Sequence, residues 1–366
     1  MKKVKNIILI VLSALIIVIG TVGVFSKTPE NYSDSERRLL AQKPELKFEN
    51  ILSGKFMSEL EDYMLDQFPL RDTFRKIKAI SVMKVFRQKA NHGLYTVDGY
   101  LSKLEFPENE EKISLSLLKL SSVYDKYIKG SDCKMYLSII PDKNYFLAPL
   151  GGYPVMDYEK VIEKVRSELS YAEYLDIFPT LELSDYYYTD QHWSQNKITD
   201  TASALLKGMG LEAKAEYKEN KLDVPLYGAY VGQSALKFKG DDVLYLTNDI
   251  IDSCVVTSYS TGKPVKGSVY DFKKAAGKDA YEFFLSGSEP ILEIENPKAE
   301  TDKELVVFRD SFTSSLAPLL TEGYSKITLI DLRYLRSDLI GNFVDFTNQD
   351  VIFLYSTLVL NNSVSM

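Results

Sequence analysis

Alternating strand and helix signals predict an α/β protein built on a parallel sheet covered on both faces. Three observations carry that prediction. Residues 108–209 and 304–355 alternate short apolar runs with amphipathic stretches, the pattern of repeated strand–helix units. Residues 215–300 change to short β-rich runs with turns such as Thr261-Gly262-Lys263-Pro264, which read as a β-rich insertion. An uncharged apolar run precedes both, so a membrane-spanning anchor and an N-terminal helical segment are expected ahead of the α/β body.

Lys2, Lys3 and Lys5 precede the run Ile7–Phe25, whose 19 residues approach the ~20 that a helix needs to cross a bilayer. The apolar stretches of signal peptides are shorter, about 7–15 residues, and end in an A-x-A-like site that Gly20–Ser26 lacks. Residues 1–27 are therefore expected to form an uncleaved anchor, with a cleaved signal peptide as the alternative. Lysines before the span hold the N-terminus in the cytoplasm and put 28–366 outside.

Residues 28–105 read as a tether with N-terminal helices packing on the core. A polar stretch, 28–50, leads into an amphipathic helix over 55–66, marked by Phe56, Leu60, Tyr63 and Met64. A second helix is expected over 71–87, with Phe74, Ile77, Ile80 and Val85 inward. A hairpin over 94–106 turns at Asp98-Gly99. The α/β domain then spans 106–366. It opens with helix 108–129, strand 134–140, helix 157–169, strand 173–178 and helix 195–209. Short β runs are expected at 243–247, 254–259, 265–271, 281–285 and 291–295. Strand 304–308, helix 314–320 and strands 326–331 and 351–355 close it.

Composition narrows the function. Lys and Arg number 44 against 51 Asp and Glu. Four of those cations (Lys2, Lys3, Lys5, Lys27) lie in residues 1–27, which hold no acid, so the remainder carries 40 against 51. Such an acidic body argues against nucleic acid as a partner, since phosphate binding needs clustered Lys and Arg. With two His and two Cys, a zinc site built from Cys and His clusters is excluded, and no metal or cofactor is expected. Cys133 and Cys254 could pair in an exported body, although both stand in apolar, strand-like surroundings.

Sites in open α/β sheets form beyond the carboxyl ends of strands. Two segments fit that position. In Glu304–Phe312 a hydrophobic strand ends, the chain turns at Arg309-Asp310, and Ser311 stands where a helix begins. There a hydroxyl is presented and backbone N–H groups point toward developing negative charge. A plain helix cap is the alternative for Ser311. The second segment is Tyr186-Tyr187-Tyr188-Thr189-Asp190-Gln191-His192-Trp193-Ser194. An acid two residues before a histidine can fix its tautomer and stabilise imidazolium, the support a Ser–His pair needs. His92, in Asn91-His92-Gly93, lacks a neighbouring acid and reads as structural. Trp193, the only Trp, would pack beneath the site or form a sugar platform.

Asp190-Gln191-His192-Trp193 is similar to the signature of the DHHW family, relatives of the alginate O-acetyltransferases within the SGNH hydrolase-like superfamily. The resemblance runs along most of 33–360. It includes Ser35-Glu36-Arg37-Arg38-Leu39 with Pro44, Gly54-Lys55-Phe56, Asp66-Gln67-Phe68-Pro69-Leu70-Arg71-Asp72 and Val97-Asp98-Gly99-Tyr100-Leu101. It continues through Pro141-Asp142-Lys143, Tyr188-Thr189-Asp190, Asp310-Ser311-Phe312 and Asp331-Leu332-Arg333-Tyr334. Gln191 departs from the His that the family name implies, but the acid and base positions, Asp190 and His192, are kept.

The resemblance implies a flavodoxin-like α/β/α domain in which the Asp-x-His segment precedes the serine. It implies Ser311 as nucleophile, His192 as base and Asp190 as the orienting acid, with the Ser311 N–H and a neighbouring donor holding the oxyanion. Arg333 is a candidate for substrate or oxyanion contact, with an ion pair to Asp331 as the alternative. Asp310 reads as a turn residue rather than a second acid. The activity implied is extracytoplasmic O-acetylation of a polysaccharide, an exopolysaccharide (a cellulose-like glucan, for example) or a cell-wall glycan. A membrane-bound O-acyltransferase would be the acetyl donor. A carbohydrate acetylesterase would use the same triad. A non-catalytic glycan-binding envelope protein would keep the fold but hold the Ser311 hydroxyl far from His192.

Overall fold

The computed structural model describes residues 2–26 and 28–362; the expectations that touch Met1, Lys27 and residues 363–366 lie outside them. The chain divides into two compact units: residues 1–92 with 229–238, and residues 93–228 with 239–366. The hairpin Leu94–Val97/Tyr100–Lys103, expected with the N-terminal helices, belongs to the second unit. Its Tyr95 is buried and donates to Asn144 Oδ1 (2.5 Å), and Leu101 N–H donates to Tyr188 O (2.8 Å). Its turn is the expected Asp98-Gly99, both at positive φ (48° and 86°), the two-residue geometry that matches strand twist.

In the first unit, helix Lys2–Ser26 contains a stretch, Val4–Ser26, long and apolar enough to cross a membrane. Helices Phe48–Leu52, Lys55–Asp66 and Arg71–Ile80 follow, the last continuing into a π-turn, Ser81–Val85. Two motifs quoted above for the resemblance meet here. Arg38 grips Asp66 with both terminal nitrogens (2.8 and 2.5 Å), and Glu36 accepts from Arg71 (2.5 Å) and Arg75 (3.2 Å). One expectation is overturned: Phe74, Ile77, Ile80 and Val85 do not point inward but are exposed. Among the described residues no element of the unit covers that face, and the half-buried Arg71 and Arg75 turn the other way, toward Glu36.

The second unit is an eight-stranded mixed sheet. In chain order its strands are β1 (Lys134–Ile140), β2 (Glu173–Tyr174), β3 (Val255–Ser258), β4 (Val265–Gly267), β5 (Ile291–Glu295), β6 (Glu304–Arg309), β7 (Lys326–Ile330) and β8 (Asp350–Ser356). Their spatial order is β4-β3-β5-β7-β6-β8-β1-β2. Strands β7, β6, β8, β1 and β2 pair in parallel, and β5, β3 and β4 extend the sheet antiparallel. Part of the stretch read as an insertion thus continues the sheet itself. The expected strand at 281–285 is largely a 3₁₀ turn, Ala280–Phe283.

Alternate residues of the parallel strands feed two cores. Leu305, Val307, Ile352 and Leu354 pack with helices Thr199–Gly208 and Thr313–Leu320; Val306, Phe308, Val351 and Phe353 pack with Glu110–Val123 and Tyr158–Glu168. Burial on both faces explains why these strands read as continuous apolar runs. The parallel strands in space run β7-β6-β8-β1-β2. That is the flavodoxin order 2-1-3-4-5 with the chain opened between its third and fourth strands. The switch point of that order, where ligands bind, falls between β6 and β8.

Candidate active site

Ser311 follows β6, on one side of the switch point. Asp310 shapes its turn. Asp310 Oδ1 accepts from Phe312 N–H (3.0 Å), and Oδ2 accepts from the N–H (2.7 Å) and hydroxyl (2.6 Å) of Ser356 at the end of β8. The carboxylate therefore ties the two strand ends together and leaves the Ser311 side chain outside the turn, as expected of a turn residue. Helix Thr313–Leu320 starts immediately afterwards, with Phe312 rather than Ser311 at its cap position. Among the described residues, Ser311 N–H has no acceptor.

His192 comes from a narrow loop closed by the Tyr186–Trp193 bridge and by Tyr187 N–H donating to His192 O (3.0 Å). Asp241 stitches the approach by accepting from Tyr188 N–H (2.7 Å), Thr189 N–H (2.8 Å) and the Thr189 hydroxyl (2.5 Å). Gly228 lies directly against this backbone. A Cβ there would stand 2.5 Å from Asp190 Cα, so only glycine fits the approach. At the other end of the loop, Gln195 Nε2 donates to Ser315 O (2.8 Å), fastening the loop to the serine helix.

The two segments meet at a Ser–His–Asp array. Ser311 Oγ lies 2.7 Å from His192 Nε2, and His192 Nδ1 lies 2.5 Å from Asp190 Oδ1, which also accepts from His192 N–H (2.9 Å). A carboxylate only accepts, so Nδ1 carries the ring proton and Nε2 is left to accept from the Ser311 hydroxyl. Burial alone would push the Asp190 carboxyl up. His192, by charge and hydrogen bonds, and then Lys143 outweigh burial and hold the carboxyl below its ordinary value.

Two contributors escaped the sequence reading. Tyr281 stacks on the imidazole, with ring centroids 3.9 Å apart and planes within 5°, while its hydroxyl donates to Ser311 O (3.2 Å). Nothing in the local pattern of 279–284 marks this residue. Lys143, inside the quoted Pro141-Asp142-Lys143 motif, is fully buried. Its Nζ donates to Leu101 O (2.9 Å) and Tyr187 O (2.8 Å). Burial pushes its ammonium down to about 8, against the pull of Asp190 and Asp241. It is the cation that accompanies the buried carboxylate beneath the histidine.

The remaining candidates fall elsewhere. Trp193, expected as a substrate contact, is 0% exposed. Its Nε1 donates to Phe312 O (3.1 Å) and Ser315 Oγ (3.1 Å), so it braces the serine turn from below and offers no sugar platform. Arg333 is engaged by Asp331 through Nε (2.9 Å) and Nη2 (2.6 Å), the ion pair named as its alternative, and has no hydrogen bond to Ser311 or His192. His92 lies in the first unit at positive φ, its Nε2 2.8 Å from Lys78 Nζ. Cys133 and Cys254 are free thiols. Among the described residues, no group of His, Cys, Asp and Glu could hold a metal ion.

Neither a protein-family model nor a curated protein sequence matches the chain. Solved structures do. The chain is similar in fold to a DHHW family protein from Eubacterium siraeum, with TM-score 0.60 and 18% identity over 75% of this chain and 94% of that one. It is similar also to Bacillus cereus PatB1, solved with a sulfonyl adduct, with TM-score 0.57 and 17% identity over 74% and 96%. The O-acetyltransferase domain of Pseudomonas putida AlgJ matches with TM-score 0.46 and 14% identity over 74% and 93%.

Proposed function

We propose that this chain is an O-acetyltransferase that carries an acetyl group on Ser311 and passes it to a hydroxyl of a polysaccharide outside the cytoplasmic membrane. The observation that carries the reading is the 2.7 Å contact between Ser311 Oγ and His192 Nε2, backed by Asp190. A glycan-binding scaffold without turnover has no need of that contact.

In the first step Ser311 Oγ attacks the acetyl carbonyl while its proton moves to His192 Nε2. Asp190 stabilises the imidazolium, and the unpartnered Ser311 N–H faces the oxyanion. The donor's leaving oxygen takes the proton and departs. In the second step His192 removes the proton of the acceptor hydroxyl, that oxygen attacks the acetyl-serine, and the proton returns to Ser311 as its ester bond breaks. The resemblance supplies acetyl as the group, polysaccharide as the acceptor and a membrane-bound O-acyltransferase as the donor. The apolar helix Lys2–Ser26 would hold the domain at the membrane where such a donor sits.

Ser311→Ala is expected to lower acetate release from a chromogenic acetyl ester by ~10³-fold or more with the Tm unchanged. Retention of full activity would sink the nucleophile assignment. Phenylmethylsulfonyl fluoride should label wild type once, at Ser311, and leave Ser311→Ala unlabelled by mass spectrometry. Adding oligosaccharide acceptors separates the two enzymatic readings. A transferase yields acetylated sugar at the expense of free acetate, and an esterase yields acetate alone.

A further inference from the structure

Residues 71–86 of the first unit have a face that, among the described residues, no element of that unit covers. Helix Arg71–Ile80 buries only Ala79, and the π-turn Ser81–Val85 buries nothing. Phe74, Ile77 and Ile80 are 45, 55 and 47% exposed, and Phe86 71%. At about 3.6 residues per turn, Phe74, Ile77 and Ile80 share about a third of the helix circumference, and Lys76 and Lys78 stand on its two borders. Residues 73–92 contain six Lys and Arg and no acid, in a chain that is otherwise acidic.

The same unit shows where this face begins. The last turns of helix Lys2–Ser26 pack on the segment just before it. A Cβ at Gly20 would overlap the Phe68 ring, and one at Gly23 would overlap Pro69. Phe68 in turn meets Phe74 edge-on, with centroids 5.5 Å apart. The apolar face therefore starts beside the last turns of the candidate span.

We infer that residues 71–86 form an interfacial helix that lies on the anionic lipid surface from which the N-terminal helix emerges. Phe74, Ile77 and Ile80 enter the acyl boundary, and Lys76 and Lys78 meet the lipid phosphates. A basic amphipathic helix of this kind gains from apolar burial and from charge together. The inference rests on the reading of Lys2–Ser26 as a span, and the experiment separates the two.

The full chain is placed in nanodiscs of phosphatidylcholine and phosphatidylglycerol with brominated acyl chains, and tryptophan emission is read against the Trp193 background of wild type. Ile16→Trp reports the span; Phe74→Trp and Ile77→Trp report the helix independently, should either perturb the fold. The expected result is blue-shifted, quenched emission at all three. The double change Lys76→Glu and Lys78→Glu should reduce quenching of Ile77→Trp and leave Ile16→Trp unaffected. Quenching at Ile16→Trp with none at Phe74→Trp and Ile77→Trp would overturn the inference alone and return the face to water or to an integral membrane protein. Loss of quenching at Ile16→Trp would overturn the span and the inference with it. Equal quenching before and after the charge reversal would overturn the role of anionic lipid.

Discussion

Around His192 a set of polar side chains is buried and matched with partners, while along residues 71–86 apolar groups stand uncovered. Asp190, Thr189, Asp241, Lys143 and Gln195 are all buried, each with a hydrogen-bond partner within 3 Å. Phe74 and Ile77, on helix Arg71–Ile80, and Phe86, just past the π-turn, face outward. A buried polar group without a partner costs more than a hydrogen bond returns, so the first region tolerates few substitutions. The second meets the rest of its unit through Arg71 and Arg75, paired with Glu36, and through buried Ala79, so its outer side carries few contacts that folding needs.

That contrast can be broken or sharpened by measurement. Beyond the Ser311 variant, the largest effect is expected for Asp190→Asn, which removes the acceptor that fixes the Nδ1–H tautomer. Ester turnover should fall ~10²–10⁴-fold with the secondary structure kept. A loss below tenfold would mean that the carboxylate does not orient the base. Gly228→Ala comes next. Its Cβ must displace the Thr189–Asp190 backbone, which should lower stability by about 1–3 kcal/mol in denaturant unfolding and slow turnover without touching a reacting group.

A smaller effect belongs to Lys143. The unfolded chain keeps this proton to about 10.5, the native chain only to about 8. Between those values the unfolded state binds more protons, so this group's contribution to stability rises with pH across the window. Tm measured from pH 7.5 to 10.5 should show that rise in wild type and lose it in Lys143→Met. Parallel curves would remove Lys143 from the account. The smallest effect is expected for Ile77→Ser, within about 0.5 kcal/mol in detergent, because its side chain loses no protein contact on which folding depends. A larger loss would show that the face is part of a core.

The sequence was legible where chemistry is short-ranged. The strands β1, β6, β7 and β8 read directly from their apolar runs, and the Asp98-Gly99 turn from its residues. Ser311, His192 and Asp190 could be matched because acid, base and turn each leave a local mark. Tyr281 left none, since stacking on an imidazole 89 positions away in the chain has no sequence pattern. Trp193 was ambiguous because an indole braces or exposes with the same residues around it. The orientation of helix 71–80 was misread for a different reason: periodicity reports which residues share a face, not whether protein, water or lipid lies beyond it.

The late position of β8 has a bearing on how the sheet comes into being. Strand β6 has no direct pairing with β1; the final strand, inserted between them, is what joins the halves of the sheet. During vectorial synthesis the imidazole loop is made more than a hundred residues ahead of the serine, and the sheet between them is not closed until residues 350–356 have left the ribosome. A chain lacking residues 350–356 would therefore keep β1 and β6 but lose the strand that joins them.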